Sequence, residues 1–403
     1  MSRRRLLFVS PRFLFPLDEG GKIRTTGILR AMLGGAFEIV LASPARPDWR
    51  AHAAAIGSVC DRFVPWPAPR PGRGGRARAL LGALPVSVAS DRSAAGSGVV
   101  AAELASGVDL VVVDFPHAAI LLPDHLTVPS VLFTHNVEAE IYERHAAVAR
   151  GPRKLVWRRE ATRMRRFEGN AARRFDIVVA VSTRDRRALI ERFGLADVAL
   201  IDTGVDLDFY PFHDPSEQAT TVVFSGAMDS RSNIDGIGFL MDEVWPHVLA
   251  SRPDARMSVV GRNPPAALVA KAERLGRGWH FTGFVDDIRP HVLAGDVAVI
   301  PLRVGSGTRL KAFEAMALGR PVVSTALGME GLDVRAGTHF LAAETGVDFA
   351  AAILRLLSEP GLRRDLARAA RHELEERFSW ARVARQFEEI CLRALRPARG
   401  VTE

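Results

Sequence analysis

Residues 305–314, GSGTRLKAFE, gather in one short stretch the residue types that bind an anion and a diol. Gly305, Ser306 and Gly307 are small enough for backbone amides to approach an anion, and Thr308 is placed to cap a helix that follows. Arg309 and Lys311 fall in the first turn of that helix, whose N-terminus already carries roughly half a positive charge. Two cations there suit a phosphate or diphosphate better than a neutral ligand. Glu314 lies near the face that Phe313 and Ala317 turn inward, so its carboxylate is poorly solvated unless something binds it; a ribose diol would. A plain tight turn with solvated charges is the competing reading of the same residues.

Histidines at strand ends form a second set of candidates. The run VPSVLFT ends in His135-Asn136-Val137-Glu138, and ligands of open α/β sheets collect at the carboxyl ends of strands. His117, in DFPHAA after the preceding strand, competes for that position, and either ring can instead be a structural hydrogen bonder. Near the N-terminus, the adjacent Gly20 and Gly21 sit between a strand and a helix in a loop of phosphate-holding size. It is not the dinucleotide fingerprint, because no GxGxxG follows the strand, and a plain turn is the alternative. Asp206-Leu207-Asp208 is spelled like a metal motif but falls in a linker, so no metal site is expected.

The elements that must position these groups alternate. Strands are expected at about 6–10, 37–42, 62–66, 109–114, 130–134 and 176–182, with a helix at about 22–33, and such apolar runs between helices predict a parallel, doubly wound sheet. The Pro/Gly/Arg-rich stretch 65–82 reads as a surface loop. Gly204 provides a turn after which the pattern repeats: strands at 221–225, 257–261, 279–282 and 297–301, and helices at 233–250, 265–276 and 286–293. Beyond Phe340 the chain reads as helical, with breaks at Pro360-Gly361 and near Ser379. The expected fold class is therefore α/β: two Rossmann-like domains, residues 1–205 and 206–378, facing across a cleft, then a helical segment 379–403.

Length and composition agree with that division. The chain has 403 residues, too many for one ordinary core, with 48% hydrophobic and 25% charged residues. Cys60 and Cys391 are too few for a disulfide framework and suit a reducing cytosol. The first run, MSRRRLLFVSPRFLFP, is too short in apolar residues for a secretory signal, and no segment offers a membrane-length apolar stretch. The net charge is +8, and much of the excess lies in residues 153–174, with Leu155, Val156, Trp157, Met164 and Phe167 interleaved. That stretch fits an anionic phospholipid surface or a solvated helix face; nucleic acid is the least favoured partner.

The string GSGTRLKAFEAMALGRPVVST resembles the donor-binding motif of family 4 glycosyltransferases, retaining enzymes of the GT-B fold. The resemblance implies transfer of a hexose-type sugar from a nucleotide-diphosphate sugar to a glycan or lipid-linked acceptor, in cell-surface polysaccharide synthesis, in the cytoplasm or on the inner membrane face. It implies that Glu314 holds nucleotide hydroxyls, that Gly20 and Gly21 come near the donor phosphates, and that His135, in FTHNVE, lies beside the transferred sugar. DVALIDTGVDLDFYPF, residues 197–212, resembles the family's interdomain connection, and Phe378-Ser379-Trp380 the start of a helix crossing back to the first domain. Two departures matter. Ser306 stands where many members have a second glutamate, and Gly226-Ala227-Met228 with Ser232-Asn233 lacks the usual cations of the diphosphate clamp. A subgroup combines those features with GSGTRLK, so Arg309 and Lys311 are the expected replacements, with Arg231 beside them; Gly226, Ser306, Gly307 and Thr308 complete the expected donor site, and no metal or other cofactor is needed. A nucleotide-sugar epimerase and a silent nucleotide-sugar binder are the alternatives.

Overall fold

The computed structural model describes residues 3–17, 19–68, 79–276, 278–304 and 310–396. The expected loop residues Ser306, Gly307, Thr308 and Arg309 lie outside these, as does most of the Pro/Gly/Arg-rich stretch. The chain divides into two compact units, Met1–Gly204 with Trp380–Glu403, and Val205–Ser379.

The first unit is built on seven parallel strands: β1 (Arg4–Val9), β2 (Phe37–Ala45), β3 (Arg62–Pro67), β4 (Leu110–Asp114), β5 (Ser130–Phe133), β6 (Ile177–Ala180) and β7 (Val198–Leu200). Their order is 3-2-1-4-5-6-7, which places a reversal of winding between β1 and β4. Successive residues of β1 feed opposite cores, Leu6 and Phe8 one and Leu7 and Val9 the other, so both faces are covered and the strands read as unbroken apolar runs. β3 follows the strand expected at 62–66 and runs one residue further, with Pro65 and Pro67 both inside it; among the described residues it pairs with β2 alone, and an edge strand tolerates residues without an N–H.

Helix α1 (Gly20–Met32) follows β1. It starts at Gly20, so Gly20 and Gly21 form its first turn instead of a preceding loop. A Cβ at Gly21 would lie 2.5 Å from Cζ of Phe115, which is a packing reason for that glycine. Helices α2 (Val86–Asp91), α3 (Glu138–Val148) and α4 (Pro152–Ala172) are among the others of this unit. No side chain of its own N-cap closes α3. Instead the buried Glu168 of α4 accepts from the amides of Glu138 and Ala139, both at 2.8 Å, satisfying donors that a helix start leaves open.

The second unit has six parallel strands: β8 (Thr221–Ser225), β9 (Arg256–Val260), β10 (Trp279–Gly283), β11 (Val297–Ile300), β12 (Val322–Ser324) and β13 (Leu341–Ala342). Their order is 10-9-8-11-12-13, with the reversal between β8 and β11. Helix α5 (Arg231–Phe239) follows β8, α6 (Leu310–Ala317) follows β11, and α7 (Gly346–Ser358) and α8 (Pro360–Glu373) come late in the unit. The single helix expected at 233–250 is interrupted by a wider turn at Leu240–Val244.

The C-terminal helix α9 (Trp380–Ala394) belongs to the first unit. Val383, Ala384, Phe387, Ile390 and Cys391 form its buried stripe at helical spacing. Trp380 fills space that only glycine leaves: a Cβ on Gly27 would lie 2.4 Å, and one on Gly204 2.2 Å, from its ring.

Candidate functional site

In the second unit, the reversal between β8 and β11 is where a doubly wound sheet opens a crevice at its carboxyl edge. The chain leaves β8 through Gly226, whose φ of +155° few side chains adopt. A Cβ there would also sit 2.7 Å from Nζ of Lys311 and 2.8 Å from Nδ2 of Asn233. The backbone conformation favours glycine here, and the two polar side-chain ends use the room it leaves. Lys311, from the first turn of α6, donates to Oδ1 of Asn233 at 2.8 Å, and Nδ2 of Asn233 donates to the Ala227 carbonyl at 2.8 Å. The ammonium also lies 4.5 Å from the ring centre of the buried Phe224. A cation from α6 is thereby held at the glycine turn after β8, the segment in which Ala227 and Ser232 lack charge. Arg231, first residue of α5, is exposed at the same edge.

Glu314 lies one turn beyond Lys311 and is part-buried. Burial pushes its pKa above the ordinary carboxylate value, opposed by a hydrogen bond from Tyr210 and by the charge of Lys311. Oη of Tyr210 donates to Oε1 of Glu314 at 3.1 Å. Tyr210 belongs to the segment read from sequence as a connection, and no periodicity there marks it as a partner of α6. Asp206, of the DxD spelling, accepts from the Phe209 amide at 2.9 Å and so closes a turn. Among the described residues no group of three or more His, Cys, Asp or Glu is placed to hold a metal ion.

The first unit has its own cluster at the reversal between β1 and β4. Asp114, fully buried at the end of β4, accepts from Ser10 Oγ at 2.9 Å and Thr25 Oγ1 at 3.1 Å. Nε2 of His135 lies 2.6 Å from the same carboxylate, and Nδ1 lies 3.0 Å from Nη1 of Arg24. Arginine only donates, so Nδ1 accepts and the ring proton sits on Nε2, toward Asp114. His135 is neutral in this arrangement: burial, foremost, and Arg24 lower its pKa, against the pull of Asp114. The ring is 2% exposed, stacked on Phe115 at 4.1 Å, and both nitrogens have protein partners. This geometry makes His135 an anchor of the cluster; it does not present a free nitrogen to a ligand.

Several ionisable groups share with His135 the charge of Arg12; His117 among them is the rival candidate from sequence, whereas Asp91 was not singled out there. Burial raises the pKa of Asp91 to about 6 and of Glu138 to about 7, each moderated by the charge of Arg12. His117 is lowered to about 4, first by burial and then by Arg12. Its Nε2 lies 3.2 Å from Ser87 Oγ, which accepts from Tyr142 Oη at 2.7 Å. Glu138 is therefore about half protonated at neutral pH, whereas Asp91 is largely ionised there.

The basic stretch 153–174 divides between interior and surface. Met164 is wholly buried in the core and so belongs to no outer apolar face, while the half-buried Trp157 stacks on His145 at 4.6 Å. Arg163 is buried too, donating to Glu160 at 2.6 Å and to the Leu80 carbonyl at 3.0 Å. Arg165 pairs with Glu143 at 2.8 Å. Leu155 and Val156 remain exposed beside Arg153, Arg158, Arg159 and Arg166. Among the described residues no helix is long and apolar enough to cross a membrane.

Comparison with known proteins gives the same division of the chain. A family model described as Glycosyltransferase Family 4 matches residues 20–209, and one described as Glycosyl transferases group 1 matches residues 219–359. A glycogen synthase of Mycobacterium tuberculosis is 27% identical over 301 residues, covering 70% of this chain and 67% of that protein. The solved sucrose-phosphate synthase of Thermosynechococcus elongatus superposes with a TM-score of 0.70 at 20% identity, over 97% of this chain and 99% of that one. HepE of Anabaena, solved in complex with UDP and glucose, superposes with a TM-score of 0.67 at 17% identity, over 96% and 99%.

Proposed function

The chain belongs to the family 4 glycosyltransferases and has their GT-B fold, and from that premise we propose that it moves a hexose-type sugar from a nucleotide-diphosphate sugar to a hydroxyl of a glycan or lipid-linked acceptor. The observation that carries the donor assignment is Lys311, held by Asn233 at the carboxyl edge of β8, with Glu314 one turn behind it. A diphosphate matches the ammonium in charge, and the hydroxyls of a ribose match the carboxylate as donors to an acceptor. The complex of HepE with UDP supports a nucleoside diphosphate as the donor's leaving part. In the reaction the bond from the anomeric carbon to the diphosphate oxygen breaks and the bond to the acceptor oxygen forms. The acceptor's proton passes to the leaving phosphate, and configuration is retained, as family membership implies. Charge develops on the β-phosphate as it departs, so a fixed ammonium there stabilises the transition state more than the bound donor. Arg309, Arg231 and the loop residues Ser306, Gly307 and Thr308 are proposed as further phosphate contacts, with Gly226 giving the room. Gly20 and Gly21 are proposed to offer first-turn amides of α1 to the donor. His135 is proposed to shape the sugar site through Asp114 and Arg24. No metal is required in this scheme.

A thermal-shift screen with UDP, GDP, ADP and their sugars tests the reading, because a ligand of the folded state raises the melting temperature by mass action. One nucleotide series stabilising the protein is expected, followed by acceptor-dependent release of that nucleoside diphosphate; no stabilisation by any of them removes the proposal. The cell-surface role and attachment to an anionic membrane face are proposed from the residues Leu155, Val156, Arg153, Arg158, Arg159 and Arg166. Sedimentation with vesicles of neutral and of anionic phospholipid should separate wild type from a variant with those four arginines replaced by glutamine. Equal sedimentation of the two proteins argues against membrane attachment alone.

A further inference from the structure

We infer that Tyr210 is a positioning residue of the nucleotide site, its hydroxyl orienting the Glu314 carboxylate for a ribose diol. The inference rests on the assignment of Glu314 to the ribose. Tyr210 Oη donates to one carboxylate oxygen, Oε1, at 3.1 Å. An ionised carboxylate has further acceptor positions, so this contact fixes the group without using all its capacity.

The tyrosine is itself held from several sides. Its amide donates to the Asp206 carbonyl at 2.9 Å. Nη1 of Arg371 in α8 donates both to the Tyr210 carbonyl, at 2.9 Å, and to the Ala317 carbonyl at the end of α6, at 3.0 Å. One guanidinium thus ties the backbone of Tyr210 to the helix that carries Glu314. On the other side Arg289 donates to the Phe209 carbonyl at 3.0 Å and stacks 3.9 Å over the Phe209 ring. The Tyr210 ring packs on the cluster that contains Val205, Phe313 and Leu374. A side chain so fixed presents its hydroxyl at one place, and phenylalanine would fill the same space without it.

The groups acting on Glu314 are the charge of Lys311 on its own helix and the neutral hydroxyl of Tyr210 on the connecting segment, and the charges acting on Tyr210 are Glu314, Arg289 and Asp206. Ribose binding needs the carboxylate, so affinity falls as pH drops through the Glu314 pKa. Without the hydroxyl that favours the ionised form, that fall occurs at higher pH.

The experiment titrates UDP, GDP and ADP, and then the 2′,3′-dideoxy analogue of the one that binds best, into wild type, Tyr210→Phe and Glu314→Gln by calorimetry between pH 5 and pH 8. Expected for Tyr210→Phe is about a tenfold weaker nucleoside diphosphate, the size of one charged hydrogen bond, with the dideoxy analogue bound as by wild type. Its acidic limb moves to higher pH while the melting temperature stays near wild type. A merely structural tyrosine would weaken both nucleotides equally and leave the limb in place, which overturns the inference. If Glu314→Gln weakens the nucleotide but Tyr210→Phe matches wild type in both readouts, the inference fails and the ribose assignment stands. If Glu314→Gln binds like wild type, the ribose assignment itself fails.

Discussion

Asn233 is the residue whose loss should reveal how the donor site works without the usual clamp. Its Oδ1 receives one hydrogen bond from the Lys311 ammonium at 2.8 Å, and its Nδ2 holds the Ala227 carbonyl at 2.8 Å. Asn233→Ala removes both. A hydrogen bond to a charged group is worth about 1.5–3 kcal/mol, and the contact to a neutral carbonyl about 1 kcal/mol. Only the first bears on where the ammonium stands. If that orientation is realised fully in the transition state, kcat/KM for donor falls by about 10- to 150-fold, since each 1.4 kcal/mol is a factor of ten. Deleting the ammonium sets the ceiling: Lys311→Ala should cost about 3 kcal/mol, two orders of magnitude or more. The two changes act on one contact, so the double variant should be no slower than Lys311→Ala alone. The assay is nucleoside diphosphate release at varied donor, with unfolding in urea to confirm the folded state. Asn233→Asp is the control. It keeps an oxygen for Lys311 but adds a negative charge where the diphosphate is proposed to sit, so it should fold well and bind donor poorly. A folded Asn233→Ala protein with kcat/KM within threefold of wild type, or a double variant showing fully additive losses, would refute the reasoning.

Three further expectations concern stability. Asp114→Ala leaves the hydroxyls of Ser10 and Thr25 and the Nε2–H of His135 without their buried acceptor, and should destabilise by about 3–5 kcal/mol in urea unfolding; a loss below 1 kcal/mol contradicts the network. His117, held at a pKa of about 4, stays neutral in the folded protein while its ordinary value near 6.5 lets the unfolded chain take up a proton. Its contribution is therefore constant above pH 6.5 and is lost as pH falls toward 4, by up to about 3 kcal/mol. His117→Gln should consequently lose less stability than wild type over that interval, and parallel pH profiles would rule this out. Gly204→Ala drives a methyl to within 2.2 Å of the Trp380 ring and should cost about 1–3 kcal/mol, a penalty that shrinks in a Trp380→Leu background; equal penalties in both backgrounds would mean that α9 is not seated as described.

What could be read from sequence was the local part. Unbroken apolar runs such as 110–113 and 297–300 announced buried parallel strands, and the helix pattern around Lys311 and Glu314 announced α6. Short strands escaped: β7 and β13 have three and two residues, too few to show a period, and β7 lay inside a segment read as linker. The start of α1 was misplaced because glycine is usually a helix breaker, whereas here Gly21 is small to admit Phe115. The partners of the site residues were illegible for a different reason. Asn233 meets Lys311 across 78 positions and Tyr210 meets Glu314 across 104, and a hydrogen bond between distant elements leaves no spacing in the chain. His135 was legible as a strand-end residue, but its burial depends on Arg24 and Asp114 arriving from α1 and β4.

The central proposal places a nucleoside diphosphate at the edge of β8 and α6. Calorimetric titration of UDP, GDP and ADP into wild type, Lys311→Ala and Glu314→Ala measures this without knowledge of the acceptor. One nucleotide should saturate the wild type clearly, each variant should bind it tenfold or more weakly, and the unfolding curves should be unchanged. A nucleotide that binds wild type and both folded variants with the same affinity would place the donor elsewhere and contradict that proposal.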